Sequence, residues 1–300
     1  MSTTTTNPVT HWDRLIRYVS AKDSQTRYGD PIIPATDAKN PDIDALALKG
    51  GLRVKVLEGP TPVRAKPTGE EDEVGRLLGP LTPEDVAVVR CTGLNYRSHK
   101  TGFDLPANPT LFLKPRTTIT DTRHSIPIPP LAQSQCDYEG ELTIVIGRSG
   151  KNIPEASALD YVAGYTCGND VSCRDWQMEK PKAGMMPQWC FSKSFDEYAP
   201  CGPCVVSTQV LGDAAGLGLR TLVNGEVRQE SNTGDLVFGV RRLVSFFSQG
   251  QTLEEGSVIM TGTPGGVGLG FKPPRWLKDG DEVVVEIEGV GKVVNRMKFE

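Results

Sequence analysis

The 300-residue sequence predicts an α+β fold that is mainly β. Three observations carry that expectation. Short β-prone runs recur along the chain, helical periodicity is confined to two segments, and the regular βαβ alternation of a parallel sheet is missing. Apolar residues make up 38% and charged residues 23%, which suits a packed globule and excludes a disordered or fibrous chain. With 33 basic and 37 acidic residues the net charge is −4 and no basic stripe is present. Nucleic acid and anionic membrane are therefore not expected partners. No apolar run approaches a membrane span.

In chain order, the Thr-rich Met1–Asn7 reads as a polar tail and not as a signal peptide. Residues 14–19 read as a strand with imperfect alternation, and residues 52–57 alternate more cleanly, as a half-buried strand does. Residues 58–85 carry five prolines and little periodicity, and read as a linker or surface excursion. The expected division is a small N-terminal domain and linker over residues 1–80 and a catalytic domain over residues 81–300. Residues 86–89 and 141–146 read as buried strands. Residues 219–223 and 227–228 flank Asn224-Gly225, a strong hairpin signal. Residues 281–287 and 292–296 form a second expected hairpin. The two expected helices are residues 156–163 and 239–249, the latter with Val240, Leu243, Val244 and Phe247 on one face.

Chemistry concentrates in two acidic segments. In Asp137-Tyr138-Glu139-Gly140-Glu141, an extended chain points Glu139 and Glu141 to the same face, while Gly140 leaves the other face open to close approach. Two such carboxylates repel unless a cation holds them; solvated acids on an edge strand are the plainer reading. Asp170, after Tyr165-Thr166-Cys167-Gly168-Asn169, is presented from a loop at a strand end. Three carboxylates without histidine form a hard oxygen set that suits Mg²⁺, Mn²⁺ or Ca²⁺ and disfavours zinc. One divalent ion among them leaves −1, so an anionic substrate needs a further cation, for which Lys193 is the candidate. His99 follows a buried strand with Asn95, Tyr96 and Arg97 close by, as a general base in a strand-end loop would.

Three other features are weaker. Cys201-Gly202-Pro203-Cys204 has the spacing of a redox dithiol, but a strand and not a helix follows it. Seven cysteines, an odd number spread irregularly, suit free thiols in a reducing cytoplasmic setting. The Gly-rich run Gly262–Gly270 follows a strand but no helix follows it, so dinucleotide binding is not expected. Its N–H groups and the hydroxyls of Thr261 and Thr263 can still approach a small anion.

Taken in order, these segments resemble the fumarylacetoacetate hydrolase family. The motifs are Gly93-Leu94-Asn95-Tyr96 with His99, Leu111–Pro115, Asp137–Leu142, Gly168–Ser172 with Arg174–Gln177, Lys193–Asp196, Asn224–Glu226 and Thr261–Gly268. The resemblance covers roughly residues 85 to 300. It implies a mixed β-sandwich roll, a homodimer, and one divalent cation, Mg²⁺ with Mn²⁺ or Ca²⁺ as alternatives, held by Glu139, Glu141 and Asp170. The implied substrate is a small anionic 1,3-dicarbonyl or 2-oxo acid. Lys193 would neutralise developing charge, Gln177 and Thr263 would hold substrate oxygens, and His99 would deprotonate water or a substrate carbon.

The sequence departs from the family pattern at one place. Family hydrolases and decarboxylases carry a glutamate three residues after this histidine, where Gly102 stands here. Aligning the shorter lid puts Lys100 opposite instead, and Asp104 is the one acid nearby. The expected activity is hydrolysis of a C–C bond in an acylpyruvate-like acid through an enolate. Keto–enol tautomerisation or decarboxylation of an acid such as oxaloacetate is the alternative, and a non-catalytic scaffold the third reading.

Overall fold

A computed structural model describes residues 9–34, 40–98 and 106–300. Two sheets dominate. The larger has 11 strands, with a continuous path through Thr26–Pro31, Arg53–Glu58, Lys66–Leu78, Arg14–Ser20, Ala199–Ser207, Val162–Asn169, Gly140–Ile146, Val258–Met260, Val89–Cys91 and Phe112–Lys114. The second has five strands, in the order Glu226–Asn232, Gly218–Val223, Glu282–Ile287, Gly291–Phe299 and Ser125–Ile128.

Strand Gly140–Ile146 lies at the centre, and all seven of its residues are buried. Its alternate side chains serve different layers. Leu142, Ile144 and Ile146 join one apolar core with Leu219, Val285 and Ile287 of the five-stranded sheet. Val145 joins a second core with Val258 and Met260. Glu141 is on the same side of the strand as Val145, which carries it inside the protein. Helix Val240–Phe247 closes the first core with Val240, Leu243, Val244 and Phe247, the face expected from its spacing.

The Asn224-Gly225 hairpin forms as expected, with φ of 50° and 80° at its two residues, the positive pair that a two-residue turn of this hand needs. The terminal hairpin also forms, pairing Glu282–Ile287 with Gly291–Phe299. Three local expectations are corrected. Residues 58–85 are not a linker: Lys66–Leu78 is a 13-residue strand paired with Arg53–Glu58 and Arg14–Ser20. Most of its side chains are exposed, so no apolar alternation marks it. The helix expected over 156–163 is a 3₁₀ segment, Glu155–Tyr161, followed at once by strand Val162–Asn169. The strand expected over 86–89 is Val89–Cys91, set between Val258–Met260 and Phe112–Lys114.

The N-terminal strands are bonded to the rest. Arg14 and Leu15 pair with Val206 and Val205, and Ile16, Tyr18, Val54 and Val74 contribute to the same core as Leu142 and Ile144.

Close backbone packing beside the central strand makes a sharp prediction. A Cβ at Gly164 would fall 2.1 Å from the Val206 carbonyl oxygen, where neither backbone can give way easily. Gly164→Ala should cost about 3 kcal/mol of stability, read as a lower midpoint in urea unfolding, whereas an unchanged midpoint would contradict this packing.

Candidate active site

The end of the central strand and the end of its neighbour meet at the acidic segments. Gly140 pairs with Asn169 and Glu141 with Gly168. The Glu139 N–H donates to Asn169 Oδ1 at 3.0 Å, and the Asp170 N–H donates to the Glu139 carbonyl at 2.9 Å. These backbone ties fix the two strand ends against each other. Gly140 is required here: a Cβ would fall 2.0 Å from Thr221 Oγ1, so the strand's far face is filled by the five-stranded sheet.

Glu139, Glu141 and Asp170 come together, with one oxygen of each within 4.8 Å of the others. Glu141 and Asp170 are almost wholly buried, while the Glu139 side chain keeps 12% of its exposure. Lys193, itself buried, donates to Glu139 Oε2 at 2.9 Å, Asp170 Oδ2 at 2.7 Å and Ser172 Oγ at 2.6 Å. Lys114 donates to Asp170 Oδ1 at 2.6 Å and to the Tyr198 carbonyl at 2.5 Å. Arg174 Nη2 lies 2.6 Å from Glu139 Oε1, an ion pair without an aligned hydrogen bond. Its Nε donates to Asp137 Oδ2 at 2.8 Å.

The three carboxylates are treated unequally. Burial disfavours the Glu139 charge, but Lys193 and Arg174 outweigh it and hold the group at about 2. Among the described residues no cation pairs with Glu141; its Oε2 accepts from the Gly262 N–H at 2.6 Å. Burial, then Asp170 and Glu139, push its carboxyl well above the usual range. For Lys193, burial opposes the charge, yet Asp170 and Glu139 raise its pKa above the ordinary lysine value. Its two acids thus favour the charged form of Lys193.

The Gly-rich run turns its N–H groups toward the protein's own acids. Gly262 donates to Glu141, while Gly268 and Leu269 donate to Asp137 at 2.7 and 3.1 Å. Asn95 staples this run in place, donating to the Thr261 carbonyl at 2.8 Å and to the Phe238 carbonyl at 3.0 Å. Gly262 has φ +93° and a Cβ there would meet Asn95 Cβ at 2.9 Å, so the run approaches Asn95 more closely than another residue would allow.

Among the other residues singled out in the sequence, Gln177 is buried beside the cluster and accepts from Arg174 Nη1 at 3.0 Å. Thr263 Oγ1 donates to the Gly140 carbonyl at 3.0 Å and accepts from Gln229 Nε2 at 2.7 Å. His99, Lys100, Gly102 and Asp104 lie outside the described residues. The chain is anchored up to Ser98, whose N–H donates to Asp235 Oδ2 at 2.8 Å.

Sequence reading gave no role to Lys114, Arg174, Asp137 or Asn95. A signal for Lys114 existed: alternation in Phe112–Lys114 puts both end residues on one face, and a lysine facing a core needs an acid. The cysteine readings hold as decoys. Cys201 and Cys204 sit in strand Ala199–Ser207, and burial pushes each thiol up to about 12. All seven cysteines are free.

The residues fit a divalent cation. Their donors are all oxygen, they lie within 4.8 Å of one another, and Glu141 is a buried acid that pairs with no cation among the described residues. Glu139, Glu141 and Asp170 with Asp137 give four negative charges against Lys114, Lys193 and Arg174, a formal −1 that a divalent ion turns to +1.

Residues 88–298 match the family described as fumarylacetoacetate (FAA) hydrolase C-terminal. An oxaloacetate tautomerase, Fahd2a, mitochondrial, of Rattus norvegicus is 37% identical over 270 residues, which are 89% of this chain and 81% of that one. A caffeoylpyruvate hydrolase of Neonothopanus nambi is 37% identical over 301 residues, covering 96% of this chain and 94% of the relative. The crystal structure of 5-carboxymethyl-2-hydroxymuconate delta-isomerase from Mycobacterium smegmatis superposes with a TM-score of 0.76 at 34% identity, covering 96% of this chain and 100% of that one.

The unbalanced Glu141 generates a prediction. Without metal, its raised pKa means that the folded chain keeps a proton the unfolded chain loses, so stability falls as pH rises above the ordinary glutamate value of 4.5. In EDTA, Glu141→Gln should melt above wild type at pH 7 to 8, and the gap should close below pH 4.5. Added Mg²⁺ should raise the wild-type melting temperature and leave the variant unmoved. A variant that melts lower in EDTA, or that responds fully to Mg²⁺, contradicts the assignment.

Proposed function

The chain belongs to the fumarylacetoacetate hydrolase family, and from that premise we propose that it is a divalent-metal-dependent hydrolase of acylpyruvate-like acids. The observation that carries the reading is the buried Glu139, Glu141 and Asp170 cluster crossed by the Lys193 ammonium. A bound divalent cation, with Mg²⁺ the choice for an all-oxygen set, polarises a keto oxygen and lowers the cost of enolate charge. Glu139, Glu141 and Asp170 would hold that ion.

The remaining chemistry belongs to the side chains. In the hydrolysis, water adds to the distal carbonyl and the bond from that carbon to the methylene breaks. The electron pair passes to the pyruvate half as its enolate, which then takes a proton at carbon. The leaving half is released as a carboxylic acid. Lys193 supports the developing negative charge, because its three acceptors keep it protonated and immobile. Gln177, whose Oε1 accepts from Arg174, would donate its amide to a substrate oxygen. Thr263 can accept one further hydrogen bond while its proton stays on the Gly140 carbonyl. His99 is the proposed base for water.

Keto–enol tautomerisation of a 2-oxo acid such as oxaloacetate is the second reading. What favours it is the missing histidine-orienting glutamate, whose place falls to Gly102 by spacing or to Lys100 on the shorter lid, since moving a proton at carbon needs no activated water. The rat relative bears that activity in its name. The working unit is proposed to be a homodimer in a reducing compartment, consistent with seven free cysteines. Among the described residues no helix is long and apolar enough to cross a membrane.

With Mg²⁺, the purified chain should split acetylpyruvate into acetate and pyruvate, and EDTA should abolish the reaction. Lys193→Ala should lower kcat/KM by about 10²- to 10³-fold. An absorbance change on oxaloacetate with no cleavage of any acylpyruvate would make hydrolysis wrong and leave the tautomerase. No reaction of either kind with Mg²⁺ or Mn²⁺ would sink both.

A further inference from the structure

A cleft of about 600 Å³ opens beside the charged cluster, lined by Leu111, Phe112, Gln188, Trp189, Cys190 and Phe191 together with Pro187. None of these residues carries a charge. The cleft and the cluster share their framework. Helix Trp189–Lys193 lines the cleft with its first three residues and places Lys193 in the cluster with its last. Strand Phe112–Lys114 does the same, giving Phe112 to the cleft and Lys114 to Asp170. Lys193 Nζ lies 5.4 Å from the centroid of the Phe112 ring, which meets the Trp189 ring edge-on at 5.4 Å. The Trp189 ring in turn covers Gly93, where a Cβ would fall 2.4 Å from Cζ3. The Gln188 N–H donates to the Gln177 carbonyl at 3.0 Å, tying the cleft's far end to the same helix as Arg174.

We infer that this cleft is the subsite for the acyl substituent of the substrate, and that it selects an apolar, aromatic acyl group over a short or carboxylated one. The inference rests on the 2-oxo acid reading above and adds what the other half of the substrate is. The cluster, formally +1 once metallated, receives the acid end. The cleft then receives what is attached to the distal carbonyl. A second carboxylate there would lose water against aromatic rings, and none of the described lining residues is a cation to meet it. An aryl ring instead buries apolar area and finds Trp189 and Phe191 as edge or face partners, with Phe112 behind them. Phe191 is 45% exposed and Leu111 38%, surface that such a ring would cover.

Two measurements test this. In the first, kcat/KM of wild type and Phe191→Ala is compared for benzoylpyruvate and acetylpyruvate with Mg²⁺. The loss for the benzoyl substrate should exceed that for the acetyl substrate by about tenfold. The second uses Cys190, the exposed thiol beside six buried ones, as a reporter in the wild-type chain. Benzoylpyruvate with Mg²⁺ should slow its alkylation by N-ethylmaleimide several-fold, and oxalate should not. Equal losses on both substrates, or alkylation that benzoylpyruvate leaves unchanged, overturn the inference while activity on acetylpyruvate preserves the hydrolase reading. Protection of Cys190 without turnover of either substrate preserves the subsite and overturns the reaction. Alkylation that slows only as protein concentration rises gives the face to a second copy of the chain and overturns the subsite.

Discussion

Three carboxylates confined to one buried volume are the constraint on which this structure turns. Like charges at that spacing in a poorly hydrated interior raise each other's pKa unless cations are supplied, and the chain supplies them from three separate elements. Lys114 comes from an edge strand, Lys193 from the end of one short helix, and Arg174 from the start of another, Arg174–Met178. They pair with Asp170 and Glu139, and among the described residues none pairs with Glu141. That asymmetry is what a cation site needs. A cluster fully neutralised by lysine and arginine would have no use for a metal, and one with no cations would be too costly to fold.

The packing around the cluster follows from the same demand. Charged groups keep a fixed geometry only if their backbones cannot drift, and here glycine permits the close approaches that lock them. Gly140 lets Thr221 press against the strand between the two glutamates, and Gly262 lets its N–H reach Glu141 under Asn95. The long sheets provide the rigid ends from which Glu141 and Asp170 project, and the loops carry what must approach a substrate. The apolar cleft shares two of these elements, so the charged and greasy halves of the proposed substrate site are set by one helix and one strand.

Much of this was legible from the sequence, for reasons that can be stated residue by residue. Period-two spacing put Glu139 and Glu141 on one face and Asp170 stood in a loop at an expected strand end, while the joining of all three around one ion came from the family resemblance. The helix Val240–Phe247 and the Asn224-Gly225 hairpin were equally local. Lys114 and Arg174 were not, because their roles exist only through contacts with distant residues: Lys114 and Asp170 are 56 positions apart. Asp137 shares the spacing of the two glutamates, yet its carboxylate is taken by Arg174, Gly268 and Leu269. Strand Lys66–Leu78 escaped for a related reason. It is exposed on most of its length and is held by neighbours on both sides, so its prolines and charges outweighed a pairing that no local pattern records.

The central claim is that Glu139, Glu141 and Asp170 form one divalent-cation site. Titration with Mn²⁺ followed by electron paramagnetic resonance reads this directly, since bound and free Mn²⁺ differ in signal. The account predicts one bound ion per chain, displaced by Mg²⁺, perturbed by oxalate, and lost in Asp170→Asn. A full-length, folded chain that binds no Mn²⁺ at millimolar concentration, or whose bound ion survives Asp170→Asn unchanged, would contradict it.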